Sequence, residues 1–198
     1  MRRRNLFPSF IAIFITSIML ITGCGEVTNK LPVQHRKLTN IIPFMNELNW
    51  DKSPINPYYN PAVASSSLYR RISVVNESGQ KVVLNAMSHP ILFEAYWCPH
   101  CQRTLVMLNK NRNNFKKFPI IVSVGFFKGT TLKLATQITH QELNTFKIQH
   151  VNVYYMLNPN AGVQYASHGY PTLVFSRQHQ LLSLSGEHTL SVWTKALN

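Results

Sequence analysis

The sequence predicts an α/β fold in which one β-sheet is flanked by helices. Three observations carry this reading. From residue 71 onward, short β-rich runs alternate with stretches of helical spacing, the pattern of a layered α/β sandwich. Two of those runs, ILFEAY at 91–96 and PIIVSVGFF at 119–127, are nearly continuous apolar sequence, as expected for strands covered on both faces. The chain then closes on two strand-like runs around a tight turn, followed by an amphipathic helix.

Taken in order, ISVVNESGQKVVLN places two β-rich runs around Glu77-Ser78-Gly79-Gln80, a hairpin signal. The run at 91–96 is the first buried strand. From Cys98 to about Asn111 the spacing becomes helical, with Leu105, Val106, Met107 and Leu108 supplying an apolar side. Residues 119–127 form the next buried strand, and 132–148 read as one or two helices. A strand at 151–157 and a short helix at 161–166 follow. Strands at 172–176 and 180–185 are joined at Gln178-His179, and a last helix begins near Thr189 with Leu190, Val192, Trp193 and Leu197 on its apolar side. No internal repeat is present.

Ahead of residue 71 the texture differs. MRRRNLFPSFIAIFITSIMLITGC has a charged start, an apolar stretch over 6–21 and then small residues, which is the plan of a secretory signal. The apolar stretch is short for a bilayer span, and Pro8 and Ser9 interrupt it early. Its end, Ile21-Thr22-Gly23-Cys24, resembles the lipobox of bacterial lipoproteins, where the cysteine is acylated and becomes the first mature residue. An uncleaved signal anchor is the alternative, and either one places the remainder outside the cytoplasm. Residues 24–70, with DKSPINPYYNPAVASSS crowded in Pro, Asn and Ser, read as a lipid-anchored tether. Within it, NIIPFMNELNW at 40–50 suits one helical turn or a short docking segment. The expected organisation is thus a signal peptide at 1–23, a tether at 24–70 and a folded domain at 71–198.

Twenty Lys and Arg against seven Asp and Glu give a formal charge of +13. The basic residues are scattered and form no recognition motif, so nucleic acid is not an expected partner. An anionic membrane surface is the expected neighbour, consistent with the N-terminus.

Two of the three cysteines stand in EAYWCPHCQRT, at the junction of a strand and a helix. Cys98 falls at the N-cap and Pro99 at the first helical position, where proline forfeits no hydrogen bond. Cys101 lies one turn on and can face the Cys98 sulfur. Unpaired amides and the positive end of the helix stabilise a thiolate at Cys98, and a protonated His100 adds a second positive charge. That arrangement predicts an exposed nucleophile at Cys98 and a resolving thiol at Cys101. Haem attachment needs a histidine where Gln102 stands. A structural zinc needs a second close pair of ligands, and no His pair supplies one. A purely structural disulfide over so short a loop would constrain almost nothing.

A second motif, Gly169-Tyr170-Pro171-Thr172 before the strand LVF, makes the resemblance specific. The chain from about Ile72 to its end resembles the thioredoxin superfamily, in which a strand-CxxC-helix unit on a central mixed sheet faces a cis-proline loop and a closing hairpin. The resemblance implies that Pro171 is the cis-proline, that Tyr170 exposes its backbone to substrate, and that Trp97 is the aromatic residue before the first cysteine. The leading hairpin and the long segment inserted between the CxxC helix and the cis-proline loop resemble the membrane-tethered, extracytoplasmic branch called TlpA-like. Two features depart from the pattern. Leu92 occupies the position of the usual buried acid, with Glu94 two residues on as a substitute proton acceptor or as a salt-bridged rim residue. The Pro-His dipeptide resembles DsbA-type oxidases rather than TlpA-like reductases, which leaves the direction of electron flow open.

The expected function is an extracytoplasmic, membrane-anchored thiol–disulfide oxidoreductase with no cofactor beyond its Cys98/Cys101 dithiol. Its expected partners are exported protein thiols or disulfides and a membrane redox partner that resets the dithiol. A lipoprotein adaptor on a thioredoxin fold without catalysis is the alternative from another class.

Overall fold

The computed structural model describes residues 55–198. The signal segment, Cys24 and most of the expected tether lie outside the described residues. The elements run β1 (Ala62–Val63), α1 (Ser66–Tyr69), β2 (Ile72–Val75), β3 (Lys81–Leu84), β4 (Ile91–Glu94), α2 (Pro99–Lys110), β5 (Ile120–Ser123), α3 (Leu132–Thr145), β6 (Val153–Tyr155), α4 (Ala161–Tyr165), β7 (Thr172–Arg177), β8 (Gln180–Ser185) and α5 (Leu190–Leu197). All eight strands join one sheet in the order β1-β8-β7-β4-β5-β6-β2-β3. The sheet is mixed: β4, β5 and β6 are parallel, whereas β7 runs antiparallel to β4.

Alternation along β4 builds the two faces of the sheet. Ile91 and Phe93 enter a core with Val122, Val174 and Ala161, under α4. Leu92 points the other way, into a core with Leu105 and Leu108 of α2 and Trp193 of α5. Glu94, two residues after Leu92, shares that second face because strand side chains repeat with a period of two. Trp193 is wholly buried there. Large side chains enclosed to that degree each contribute about 1.5–3 kcal/mol, so the α2–sheet–α5 sandwich is a rigid seat for the start of α2.

Local chemistry sets the ends. Thr131 caps α3 by accepting from the Leu134 N–H, and the region read as one or two helices is a single helix. The strand expected over 119–127 stops at Ser123, and Gly125 two residues later adopts φ +74. A side chain is strained at that φ, and a Cβ at 125 would press on Ala95 and Trp97. The closing hairpin turns at Gln178 and His179, with φ of 49 and 62, as a two-residue turn with both central residues left-handed requires.

Residues ahead of position 71 also pair with the sheet. Ala62 and Val63 pair with Ser183 and Leu182, which makes β1 an edge strand of the same sheet. Asn56 donates to the Glu187 carbonyl and accepts from the Thr189 N–H. Tyr69 is buried and stands edge-on to Tyr165. The described part of the expected tether therefore belongs to the folded domain. Its Pro-rich composition reflects an extended edge segment rather than an unattached linker.

Candidate active site

The end of β4 and the start of α2 bring the two thiols together. Cys98 is the N-cap of α2 and Pro99 is its first residue. The Cys98 carbonyl accepts from the Cys101 and Gln102 N–H groups. Both cysteines are free thiols. Cys98 is not the exposed nucleophile expected from its helix-end position: it is only 5% exposed, against 0% for Cys101. Tyr170 packs against the buried cluster formed by Ala95, Cys98 and Cys101.

The Tyr170–Pro171 peptide is cis. The loop is fixed from both sides: Thr172 Oγ1 donates to the Gly169 carbonyl at 2.7 Å, and the Gly186 N–H donates to the Pro171 carbonyl at 2.7 Å. The Cys98 thiol donates to the Tyr170 carbonyl across 3.9 Å. Trp97 stands edge-on to the Tyr170 ring at 5.8 Å and donates its indole N–H to the Gly125 carbonyl at 3.0 Å. With 42% of its surface exposed, Trp97 forms one wall of the approach to the dithiol. Gly162 lets Tyr170 lie flat, because a Cβ there would run into the Tyr170 hydroxyl.

The two thiols are electrostatically unequal. The Cys98 pKa is lowered to about 7, first by the hydrogen bond that the Cys101 thiol offers its thiolate, against the opposing effect of burial. Backbone N–H groups of the first helical turn and the charge of His100 lower it further. Burial pushes the Cys101 thiol well above the ordinary cysteine range, and the neighbouring Cys98 and Glu94 push the same way.

His100 does not point away into solvent. Its Nδ1 lies 2.9 Å from Glu187 Oε2. Arg103, one turn further along α2, donates from Nε to both Glu187 oxygens at 2.9 and 3.0 Å and from Nη2 to Oε2 at 2.6 Å. Arg103 and Glu187 are both buried. The pair clamps the turn after β8 onto the first turns of α2 and gives the His100 ring a fixed partner beside Cys98.

Glu94 is wholly buried, not salt-bridged and not at the rim. Burial raises its pKa to about 8, and the Cys98 charge adds to the rise. The Ser123 hydroxyl, its partner in register on β5, pulls the other way but falls short of hydrogen-bonding geometry. A carboxyl poised near neutrality beside a thiol that must lose a proton can accept that proton.

Three residues of this neighbourhood escaped the sequence reading: Arg103, Glu187 and Glu142. A charged residue in a helical pattern reads as solvated surface. The available signal was scarcity, since only four acidic residues follow position 55 and three of them, Glu94, Glu142 and Glu187, are buried. Among the described residues, no group of His, Cys, Asp or Glu is arranged to hold a metal ion.

A dithiol at a helix N-terminus, faced by a cis-proline loop on a mixed sheet, defines a thioredoxin-like fold. Solved structures similar to this chain have been found. DsbF of MTB superposes with a TM-score of 0.50 at 14% identity, over 65% of this chain and 94% of that one. The exposed lipoprotein thioredoxin Etrx1 of Streptococcus pneumoniae gives 0.47 at 16% identity over 64% and 97%. StoA of Bacillus subtilis gives 0.43 at 14% identity over 71% and 100%. At 14% identity the likeness to DsbF bears on the fold alone. No protein-family model and no curated protein matches the chain.

Proposed function

We propose that the chain is an extracytoplasmic thiol–disulfide oxidoreductase acting on exported proteins. The observation that carries this reading is the inequality of the two thiols: Cys98 ionises near pH 7 beside the Tyr170 carbonyl, while buried Cys101 keeps its proton. In the reducing direction the Cys98 thiolate attacks one sulfur of a substrate disulfide. The S–S bond breaks, the other substrate sulfur leaves as a thiolate, and a mixed disulfide forms. Cys101 then loses its proton and attacks the Cys98 sulfur, which releases the second substrate thiolate and oxidises the dithiol. The same steps in reverse oxidise a substrate dithiol. The dithiol is the whole redox centre on this reading, and a membrane redox partner resets it.

An extended substrate segment would lie along the cis-proline loop, against Tyr170 and the Trp97 wall. His100, held by Glu187, favours the Cys98 thiolate and therefore the reduced form, which makes the disulfide a stronger oxidant. Reference potentials span about −270 mV for thioredoxin to about −120 mV for DsbA, and this dithiol is expected above the reducing end. Equilibration with glutathione buffers measures the potential, and insulin reduction or dithiol oxidation measures turnover. A chain inert in both directions, with an intact fold, would instead be the adaptor.

The domain is proposed to be tethered through an acylated Cys24, on the strength of the Ile-Thr-Gly-Cys ending. No helix among the described residues is long and apolar enough to cross a membrane. Cys24→Ala is expected to abolish incorporation of a labelled fatty acid and to retard mobility through lost processing. Unchanged labelling and mobility would point to an uncleaved anchor.

A further inference from the structure

Behind the dithiol, the sheet face under α2 and α3 carries an interior polar layer. Glu94, Ser123 and Tyr155 stand in register across β4, β5 and β6 and so share that face. The buried residues of α2 include Cys101, Thr104, Leu105 and Leu108, with Gln102, Arg103 and Val106 beside them, and those of α3 are Ala135, Ile138, Thr139 and Glu142. The first four, like the α3 set, follow the i, i+3, i+4, i+7 spacing of a core-facing side, where apolar residues are the rule. Here Thr104, Thr139 and Glu142 occupy such positions instead. Glu94, Glu142, Thr104 and Ser123 are 0% exposed and Thr139 is 1% exposed.

No side chain among the described residues hydrogen-bonds either oxygen of Glu94 or of Glu142, nor the Thr104, Ser123 and Thr139 hydroxyls. A buried polar group left so costs about 1–3 kcal/mol, and two isolated buried carboxylates would cost far more. A layer that collects five such groups beside a redox dithiol is accounted for by proton traffic, and packing alone gives no reason for it. The titratable groups that sense this layer are Cys98 and Cys101 from the β4–α2 junction, Tyr155 from β6 and Tyr170 from the cis-proline loop.

We propose that Glu142 is a neutral carboxylic acid that donates to the Glu94 carboxylate through one bridging water, and thereby holds Glu94 ready to take the Cys101 proton. The assignment rests on the dithiol function above and adds a positioning residue from α3. The step balances: Cys101 S–H and the Glu94 carboxylate become the Cys101 thiolate and the Glu94 acid, and the thiolate attacks Cys98 Sγ of the mixed disulfide. Reduction of the dithiol returns the proton along the same route. The order of the two carboxyls supports the division of roles, because burial and the Glu94 charge push Glu142 well above the ordinary range while Glu94 stands at about 8.

The test uses the reduced full-length chain carrying Cys24→Ser, so that Cys98 and Cys101 are its two thiols, and 5,5′-dithiobis(2-nitrobenzoate). Attack by Cys98 releases one aryl thiolate, and closure by Cys101 releases a second in a phase independent of reagent concentration. Glu94→Gln is expected to slow the second phase at pH 7 by about 10²-fold, the lower end of general-base effects. Glu142→Leu removes the donor and is expected to slow it about tenfold at pH 7 and to move its pH profile about one unit upward. Glu142→Gln keeps a neutral donor and is expected to stay within about threefold, on the side of the parent. In Glu94→Gln and Glu142→Leu the first phase is expected to change far less than the second.

An unaltered or accelerated second phase in Glu142→Leu overturns the proposal, as does Glu142→Gln behaving like Glu142→Leu. Glu142→Met replaces the leucine variant if that chain does not fold. A parent chain that shows no second phase would refute the dithiol reading itself, whatever the Glu142 variants do.

Discussion

Replacing Cys101 with alanine is expected to leave the chain covalently attached to its substrates, whereas Cys98→Ala attaches to almost none. The reason is the order of events: only the thiol that ionises first can open a substrate disulfide, and only the second can release it. With the Cys98 pKa lowered to about 7 and that of Cys101 pushed well above the cysteine range, the order is fixed before substrate arrives. Turnover is expected to fall on the order of 10³-fold or more in each variant, as when any nucleophile of a covalent mechanism is removed. Non-reducing gels of cells expressing each variant report the attached species. Alkylation of Cys98 in the Cys101→Ala chain is expected to reach half its maximal rate at a pH above that of the parent, because the Cys101 thiol supplies the largest part of the lowering. A Cys98→Ala chain that traps substrates would reverse the assignment.

Glu187→Ala is expected to be the most destabilising single change near the site, by about 3 kcal/mol or more. It takes the carboxylate away from a guanidinium that is 3% exposed and that grips both carboxylate oxygens. Removing one partner of a buried ion pair costs about 3–5 kcal/mol because the remaining charge stays desolvated. Urea unfolding of parent and variant measures the difference at unchanged slope. A loss under about 1 kcal/mol would mean that Arg103 escapes to water and that the pair behaves as a surface salt bridge. Because Glu187 also holds His100 at 2.9 Å, the variant is expected to move the dithiol potential as well. That second shift is expected to vanish when His100 is already replaced, which separates positioning of the histidine from general loosening.

The order of elements was legible in the chain because it is written in local periodicity. Ile91 to Glu94 lies in a near-continuous apolar run, and Leu105 and Leu108 recur at helical spacing, so each segment states its own type. Cys98 and Cys101 were legible for the same reason. An N-cap, a proline at the first helical position and a one-turn spacing are all short-range facts. Pro171 was legible through its resemblance to a familiar loop. Burial, in contrast, is a sum over distant partners. Arg103 and Glu187 are 84 positions apart, and Glu94 and Glu142 are on a strand and a helix separated by β5. In a basic chain their charges read as solvated surface until the fold encloses them. The tether shows the same limit: Ala62 and Val63 look like linker until β8 offers an edge to pair with. The sequence by itself thus determined the inner strands, the main helices and the two sulfurs. Only the tertiary structure decided that both thiols are buried, which carboxyls are desolvated and what holds His100, because desolvation and pairing come from residues that meet only when the sheet is assembled.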